Sequence, residues 1–307
     1  MKLSDHIKRL AVNLRGKIPR RPLGKTGFMV PIFSLGGESL IKIKNKYNEA
    51  IELIQLAYDM GITYFDTALD YYPSEIRIGD ALKSVRKNVI IATKTENRTR
   101  DGAWKDLEKS LNNLKTDYID IWQIHHIDHL DEVKTILGPD GAITAFEEAK
   151  FQKIIKYIGI TGHYDPIPLK RAIIDYSFDT ILMALNAADI HKNSFIKNLL
   201  PIAVKKNMGI IAMKTCSRGR IFEPVKLNNM KDALNYVFTL PISTAIVGHD
   251  NIKQLIENII IAQDFKPLSK IEMNELENKT KDYSNLSLYF RKGYEKFNPW
   301  WKPYGFK

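Results

Sequence analysis

The chain has 307 residues, of which 44% are hydrophobic, 26% charged and 10% aromatic, a balance that can bury a core and excludes the disordered and fibrous classes. Its 46 Lys and Arg against 35 Asp and Glu give +11, but residues 1–25 hold eight basic side chains against one acidic, and residues 291–307 five against one. The body between them is neutral, so the excess does not mark a nucleic-acid face across the molecule.

The single cysteine, Cys216, can neither close a disulfide within the chain nor supply a multi-thiolate zinc or iron–sulfur site. A reducing cytosol is the expected compartment. No window approaches the ~18 consecutive apolar residues of a membrane span, and residues 1–10 lack the apolar stretch of a secretory signal. These features predict a cytoplasmic protein with no membrane or nucleic-acid partner, monomeric or homodimeric.

Along the chain, eight short apolar runs are each followed by a stretch with helical periodicity. The runs are 29–37, 62–68, 88–95, 118–126, 157–163, 180–189, 209–215 and 243–249. The predicted helices are 48–60, 74–85, 102–115, 141–152, 166–176, 194–206, 229–239 and 251–263. In the first, Ala50, Ile51, Ile54, Ala57 and Tyr58 form one stripe, as a helix covering a sheet requires. Strict alternation with nearly continuous apolar strands implies parallel pairing and right-handed crossovers. Eight such units close a (β/α)8 TIM barrel, which commonly runs to ~250 residues as one unit.

No Gly-, Ser- or Pro-rich linker divides the units, so a single domain is expected. It comprises a basic extension at 1–19, the barrel with its N-terminal hairpin at 20–264, and a tail at 265–307. The tail carries Tyr289, Phe290, Tyr294, Phe297, Trp300, Trp301, Tyr304 and Phe306, too aromatic for a solvated coil, and is expected to pack on the barrel.

A parallel barrel places its chemistry at the C-terminal ends of its strands. His125, His126, His129, His163, His191 and His249 fall at or just after predicted strand ends. Asp66 and Lys94 are ionisable groups in otherwise apolar strands, and a buried charge there must be paired. Taken alone they read as a structural ion pair. Tyr71 lies five residues beyond Asp66 and can reach back over the same mouth; a phenol beside an ammonium is expected to titrate lower than usual and to serve as a general acid.

The motifs Phe65-Asp66-Thr67-Ala68-x-x-Tyr71, Ala92-Thr93-Lys94 and Ile119-Asp120-Ile121-Trp122-Gln123-Ile124-His125 resemble, in order and position, the catalytic motifs of the aldo-keto reductases. The likeness begins at Arg21-Pro22-Leu23-Gly24-Lys25-Thr26-Gly27, similar to that family's opening hairpin, and runs to Glu257-Asn258. It implies a tetrad of Asp66, Tyr71, Lys94 and His125. The family spacing selects Tyr71 over Tyr72 and His125 over His126; strand alternation lets only one of the two histidines face the lumen, so His126 is expected to point outward or cap the loop, with substrate contact the lesser expectation. The implied reaction is NAD(P)H-dependent reduction of an aldehyde or ketone to an alcohol, and its reverse, with hydride from nicotinamide and a proton from Tyr71.

No Gly-x-Gly-x-x-Gly follows any strand, so a Rossmann site is not supported. The resemblance instead places the dinucleotide across the barrel mouth. Thr161 and Gly162 match the carboxamide contacts, Leu182 replaces an expected Gln, and Met213-Lys214 replaces an aromatic-Ser pair. After the last strand, Gly248, Lys253, Gln254, Glu257 and Asn258 match the adenine and 2′-phosphate positions. Gln254 stands where many members carry an Arg, with Lys253 the compensating cation, and NADP(H) is favoured over NAD(H). His163 and Asn186 are candidates for the substrate pocket, and Cys216 for either a redox-sensitive thiol or a loop filler. The tail has no cysteine, so the iron–sulfur accessory of some bacterial-type members is not expected, and neither is a metal. Two competing readings are a nucleotide-binding regulatory or redox-sensing subunit with little turnover and, more remotely, a metal-dependent barrel hydrolase; the first strand offers the latter only Ser34 and Glu38.

Overall fold

The structure is a computed structural model that describes residues 17–222 and 227–297. It opens with an antiparallel hairpin, β1 (Arg20–Pro22) and β2 (Met29–Pro31), whose register pairs Arg21 with Val30. Eight parallel strands then close a barrel: β3 (Phe33–Gly36), β4 (Tyr64–Asp66), β5 (Ile90–Thr95), β6 (Ile119–Ile124), β7 (Ile155–Gly162), β8 (Thr180–Ala184), β9 (Gly209–Met213) and β10 (Thr244–Val247), with β10 pairing back onto β3. The apolar run at 29–37 therefore does not form one strand. It divides at Ile32, the first part pairing in the hairpin and the second entering the barrel.

The covering helices lie close to their predicted positions: α1 (Tyr47–Asp59), α2 (Ser74–Leu82), α3 (Arg100–Leu114), α5 (Ala142–Phe151), α6 (Pro166–Asp175), α9 (Met230–Thr239) and α10 (Ile252–Gln263). The stretch expected as one helix at 194–206 is two, α7 (Phe195–Asn198) and α8 (Leu200–Lys205). Pro201 has no N–H to continue the ladder, and Leu199 leaves helical geometry with φ −125°. An unforeseen helix, α4 (Leu130–Leu137), follows β6, its start tied by Glu132, which accepts from the backbone N–H groups of Asp128 and His129 at 2.8 Å each. The tail adds α11 (Lys270–Thr280) and α12 (Ser284–Ser287).

Alternation along the strands separates two apolar layers. Outward residues such as Phe33, Phe65, Ile91 and Trp122 pack under the helices, with Trp122 stacked on Phe146 at 3.7 Å between ring centroids. Inward residues Tyr64, Ile90, Ala92, Ile121, Leu182 and Ile211 fill the lumen, and Leu23 and Val30 of the hairpin plug its lower end. The plug depends on Gly209, where a Cβ would lie 2.8 Å from the Leu23 side chain. Arg21 fixes the hairpin by donating to the carbonyls of Phe238, Leu240 and Ile242. At the opposite end, Leu288, Tyr289 and Phe290 of the tail are buried against Ala184, which ends β8, and Ala188 just beyond it. Residues 1–16 of the predicted basic extension at 1–19, and Trp300, Trp301, Tyr304 and Phe306, lie outside the described residues.

Candidate active site

The lumen parity that buries Tyr64, Ala92 and Ile121 also turns Asp66, Lys94 and Gln123 inward, one step nearer the C-terminal mouth. Lys94 Nζ donates to Asp66 Oδ1 at 2.5 Å and to the Thr67 carbonyl at 2.6 Å, while Gln123 Nε2 donates to Asp66 Oδ2 at 3.1 Å. The ammonium is thus held by an anion, a carbonyl and the barrel wall, as a buried charge requires. Burial pushes the Asp66 carboxyl above its ordinary value, with Lys94 and Gln123 opposing.

Tyr71 ends a single 3-10 turn, Leu69–Tyr71, that carries the chain from β4 back over the mouth. Its ring centroid lies 5.2 Å from Lys94 Nζ, and its ring meets that of His125 edge-on at 5.7 Å. One sequence expectation is corrected here. The phenol does not titrate lower: burial holds it well above the ordinary range, and the carboxylates of Glu38, Asp70 and Asp66 add to the effect. The sequence motif contains the ammonium but not the Glu38 carboxylate that the fold brings in from the end of β3.

His125 follows β6 and is 7% exposed. Burial lowers it to about 4 against the pull of Asp70, so near neutral pH the imidazole is uncharged and carries one N–H. His126 departs from expectation. The strand has ended at Ile124, the backbone of His126 turns to φ 28°, and alternation no longer applies. Its side chain lines the same cavity, Nε2 lying 2.9 Å from Glu96 Oε1 and Nδ1 3.5 Å from Asp128 Oδ2. Burial works against its charge, yet the two carboxylates raise it to about 9.

These groups open into one cavity of about 850 Å³, within the ~300–1,000 Å³ of small-molecule sites. Asp66, Tyr71, Lys94, His125, His126, Thr161, His163, Met213, Lys214, Gly248, Gln254, Glu257 and Asn258 all line it. Three candidates do not. Gly162 faces outward, where a Cβ would meet Leu169 at 2.7 Å. Lys253 projects into solvent, its side chain 84% exposed and beside Glu257 at 3.8 Å. Asn186 is fully buried and spends its amide within the loops, donating to the Lys214 carbonyl and Ser217 Oγ and accepting from the Ala188 N–H.

The cavity is electrostatically divided. At one end Lys42, Lys214 and Arg218 surround Glu38, and although burial alone would raise that carboxyl, the three cations hold it at about 2. Arg218 and Glu38 form an ion pair across the opening, and Lys42 Nζ reaches the same carboxylate at 3.1 Å. The loop after β9 that presents Lys214 and Arg218 has left-handed backbone at both residues, with φ 54°, a conformation that non-glycine residues adopt only where contacts impose it. At the other end Asp70, Glu96 and Asp128 gather around the two histidines. Asp70, Glu96 and Arg218 were not singled out from the sequence, and Glu38 was named only for the hydrolase reading, although the three carboxylates stand within four residues of a strand end. Cys216 also lines the cavity, and burial pushes its thiol up.

Among known proteins, the family model described as the aldo/keto reductase family matches residues 33–235. An uncharacterized oxidoreductase of Bacillus subtilis, YqkF, is 29% identical over an alignment spanning 85% of this chain and 96% of that one. The holo structure of the aldo-keto reductase AKR11C1 from Bacillus halodurans superposes with a TM-score of 0.72 at 24% identity, covering 86% and 97% of the two chains. An aldo-keto reductase from Klebsiella pneumoniae in complex with NADPH gives 0.70 at 18% identity, covering 84% and 94%.

Proposed function

The chain belongs to the aldo/keto reductase family of oxidoreductases, and on that premise we propose that it reduces an aldehyde or ketone to the alcohol, and catalyses the reverse oxidation, with Tyr71 as the proton donor. The observation that carries this reading is the convergence of Asp66, Lys94, Tyr71 and His125 on one cavity. When bound, a reduced nicotinamide supplies the hydride to the carbonyl carbon.

The remaining work falls to the chain's own groups. Tyr71 enters protonated, because burial and nearby carboxylates disfavour its phenolate, and it gives its proton to the carbonyl oxygen. Lys94, 5.2 Å from the ring centroid, stabilises the negative charge left on the phenol. Asp66, Gln123 and the Thr67 carbonyl keep that ammonium in place. Neutral His125 orients the carbonyl through its single N–H. The catalytic contribution thus lies in geometry and proton control.

The donor set fits a nicotinamide dinucleotide. Lys42, Lys214 and Arg218 offer positive charge to phosphates, Leu182, Met213 and Ile246 form an apolar floor beside Thr161, and Gln254, Glu257 and Asn258 present amide and carboxylate edges from α10. The NADPH complex of the Klebsiella enzyme and these cations support NADP(H) over NAD(H). Lys253 faces away from the cavity and adds no charge there, so both dinucleotides belong in the assay.

The test is a panel of aldehydes and ketones followed by loss of NADPH and NADH absorbance, run on the native chain and on Tyr71→Phe. The variant is expected to lose ~10²- to 10⁴-fold in turnover while still binding dinucleotide. Undiminished turnover would remove Tyr71 from its role. Saturable binding with no turnover of any panel member would overturn carbonyl reduction in favour of a binding-only protein.

A further inference from the structure

Glu96, His125 and His126 stand out among the described residues as the group of His, Cys, Asp and Glu side chains with metal-ligand spacing, one ligand atom from each lying within 4.8 Å of the others. Glu96 Oε1 is 2.9 Å from His126 Nε2 and 3.7 Å from His125 Nδ1. Metal–ligand bonds of ~2.0–2.2 Å at tetrahedral angles set ligand atoms ~3.4 Å apart, a value the two Glu96 distances bracket, and the histidine pair must come within the same span from a separation of at most 4.8 Å. Asp70 Oδ1, 3.2 Å from His125 Nδ1, is at hand as a fourth ligand.

Two further features point to a ligand here. His125 Nδ1 is buried with carboxylate oxygens of Asp70 at 3.2 Å and Glu96 at 3.7 Å, and neither meets it in a well-formed hydrogen bond; a buried nitrogen facing two carboxylates in this way is costly unless something meets it. His126 points Nε2 toward Glu96, so that an incoming ion displaces the proton they share to solvent, and its other nitrogen lies 3.5 Å from Asp128. That is the outer-carboxylate arrangement that orients metal-binding imidazoles, and the His126 carbonyl is itself held by Arg98 at 3.0 Å. Two imidazoles with carboxylate oxygen suit zinc-like ions rather than magnesium or calcium, which take oxygen sets.

We propose that Glu96, His125 and His126 form a binding site for a divalent transition-metal ion of the zinc type, and that its occupancy and carbonyl reduction exclude one another. The binding half stands on this cluster alone. The exclusion rests on the role assigned to His125 above, because an ion held by His125, His126 and Glu96 puts its charge and its remaining ligand position on the cavity wall where that imidazole orients the carbonyl. The site would make the reductase sensitive to free zinc.

The probe is Co²⁺ added to the full, tag-free chain, with binding followed by visible absorption and the ion then displaced by Zn²⁺. The native chain is expected to give the intense ligand-field bands of a four-coordinate ion. Glu96→Gln, which keeps a hydrogen-bonding side chain beside His126, and His126→Leu are each expected to weaken binding by about 10- to 100-fold, whereas Cys216→Ala leaves it unchanged. A six-coordinate spectrum, or equal affinity in the native chain and both cluster variants, would overturn the site. If the Co²⁺ bands appear and shift with the variants while Zn²⁺ leaves turnover intact, the site stands and the exclusion is refuted.

Discussion

Replacing Lys94 by Met removes the cation from a pair in which Asp66 is 1% exposed and retains only the Gln123 amide as a side-chain partner. The stranded carboxylate must take up a proton to remain buried. Holding a carboxyl of ordinary value ~3.9 protonated at pH 7 costs about 4 kcal/mol, at ~1.4 kcal/mol per pH unit, and this agrees with the ~3–5 kcal/mol found when one partner of a buried pair is lost. At pH 5 the same reasoning gives only about 1.5 kcal/mol. The sign follows from linkage: in the variant the folded-state value of Asp66 lies above the unfolded one, so the folded state binds more protons and stability falls as pH rises. Urea unfolding midpoints of the native chain, Lys94→Met and Asp66→Asn/Lys94→Met at pH 5 and pH 7 test it. The double variant, having no charge to strand, should recover most of the loss at pH 7 and lose the pH dependence. An equal loss for Lys94→Met at both pH values, or a double variant as weak as the single one at pH 7, would refute the reasoning.

Other outcomes are expected from the same geometry. Glu38→Gln frees Arg218 and Lys214 from a competing carboxylate and should tighten dinucleotide binding a few-fold, in line with ~0.2–1 kcal/mol for a partly exposed pair; unchanged or weaker binding in a fluorescence titration would count against that ion pair as a competitor. Lys253→Ala should leave NADPH affinity within about twofold, since this side chain is 84% exposed and pairs with Glu257 rather than lining the cavity, and a large loss would mean the helix face is misassigned. Arg291, fully buried, donates to the His163 and Ala184 carbonyls and pairs with Asp189. Arg291→Met should therefore cost about 3–5 kcal/mol and loosen residues 288–292, seen as a lower melting temperature and faster proteolysis there; native-like protease resistance would contradict an anchoring role.

The barrel rhythm was legible because each strand, covered on both faces, is nearly uniformly apolar, and because Asp66 and Lys94 interrupt that pattern at the mouth. What escaped depends on non-local geometry. The direction of the Tyr71 shift comes first from its burial under the folded mouth and then from Glu38, thirty-three residues earlier, which reaches the phenol only once β3 and β4 pair in register at Leu35 and Phe65. His126 was expected to turn away because alternation was extended two residues past the last paired position, Ile124. Helix α4 had a readable signal in Leu130, Val133 and Ile136, spaced by three, but it lay between a strand and another helix, where the alternating pattern left no place for it. Lys253 matched a charge expectation without regard to phase, whereas Gln254 and Asn258, four residues apart, share the stripe of α10 that faces the cavity, with exposed Glu257 at its rim.

Closure of the barrel sets the order in which the molecule can be made. The strands that carry Asp66 and Lys94, and the one that ends just before His125, pair with their immediate successors, but β3 finds its second neighbour only when Phe33 meets Ala245. On the ribosome, synthesis proceeds at ~5–20 residues per second, so the first barrel strand waits at least ten seconds or so, with one edge unsatisfied, for the last to emerge. Contacts of such long sequence separation are slow to form. An open strand edge is also a template for the wrong partner, so until Thr244–Val247 has been made the newborn chain presents Phe33–Gly36 as one such edge, and the hairpin before it still lacks the Gly209 and Phe238–Ile242 contacts that will seat it.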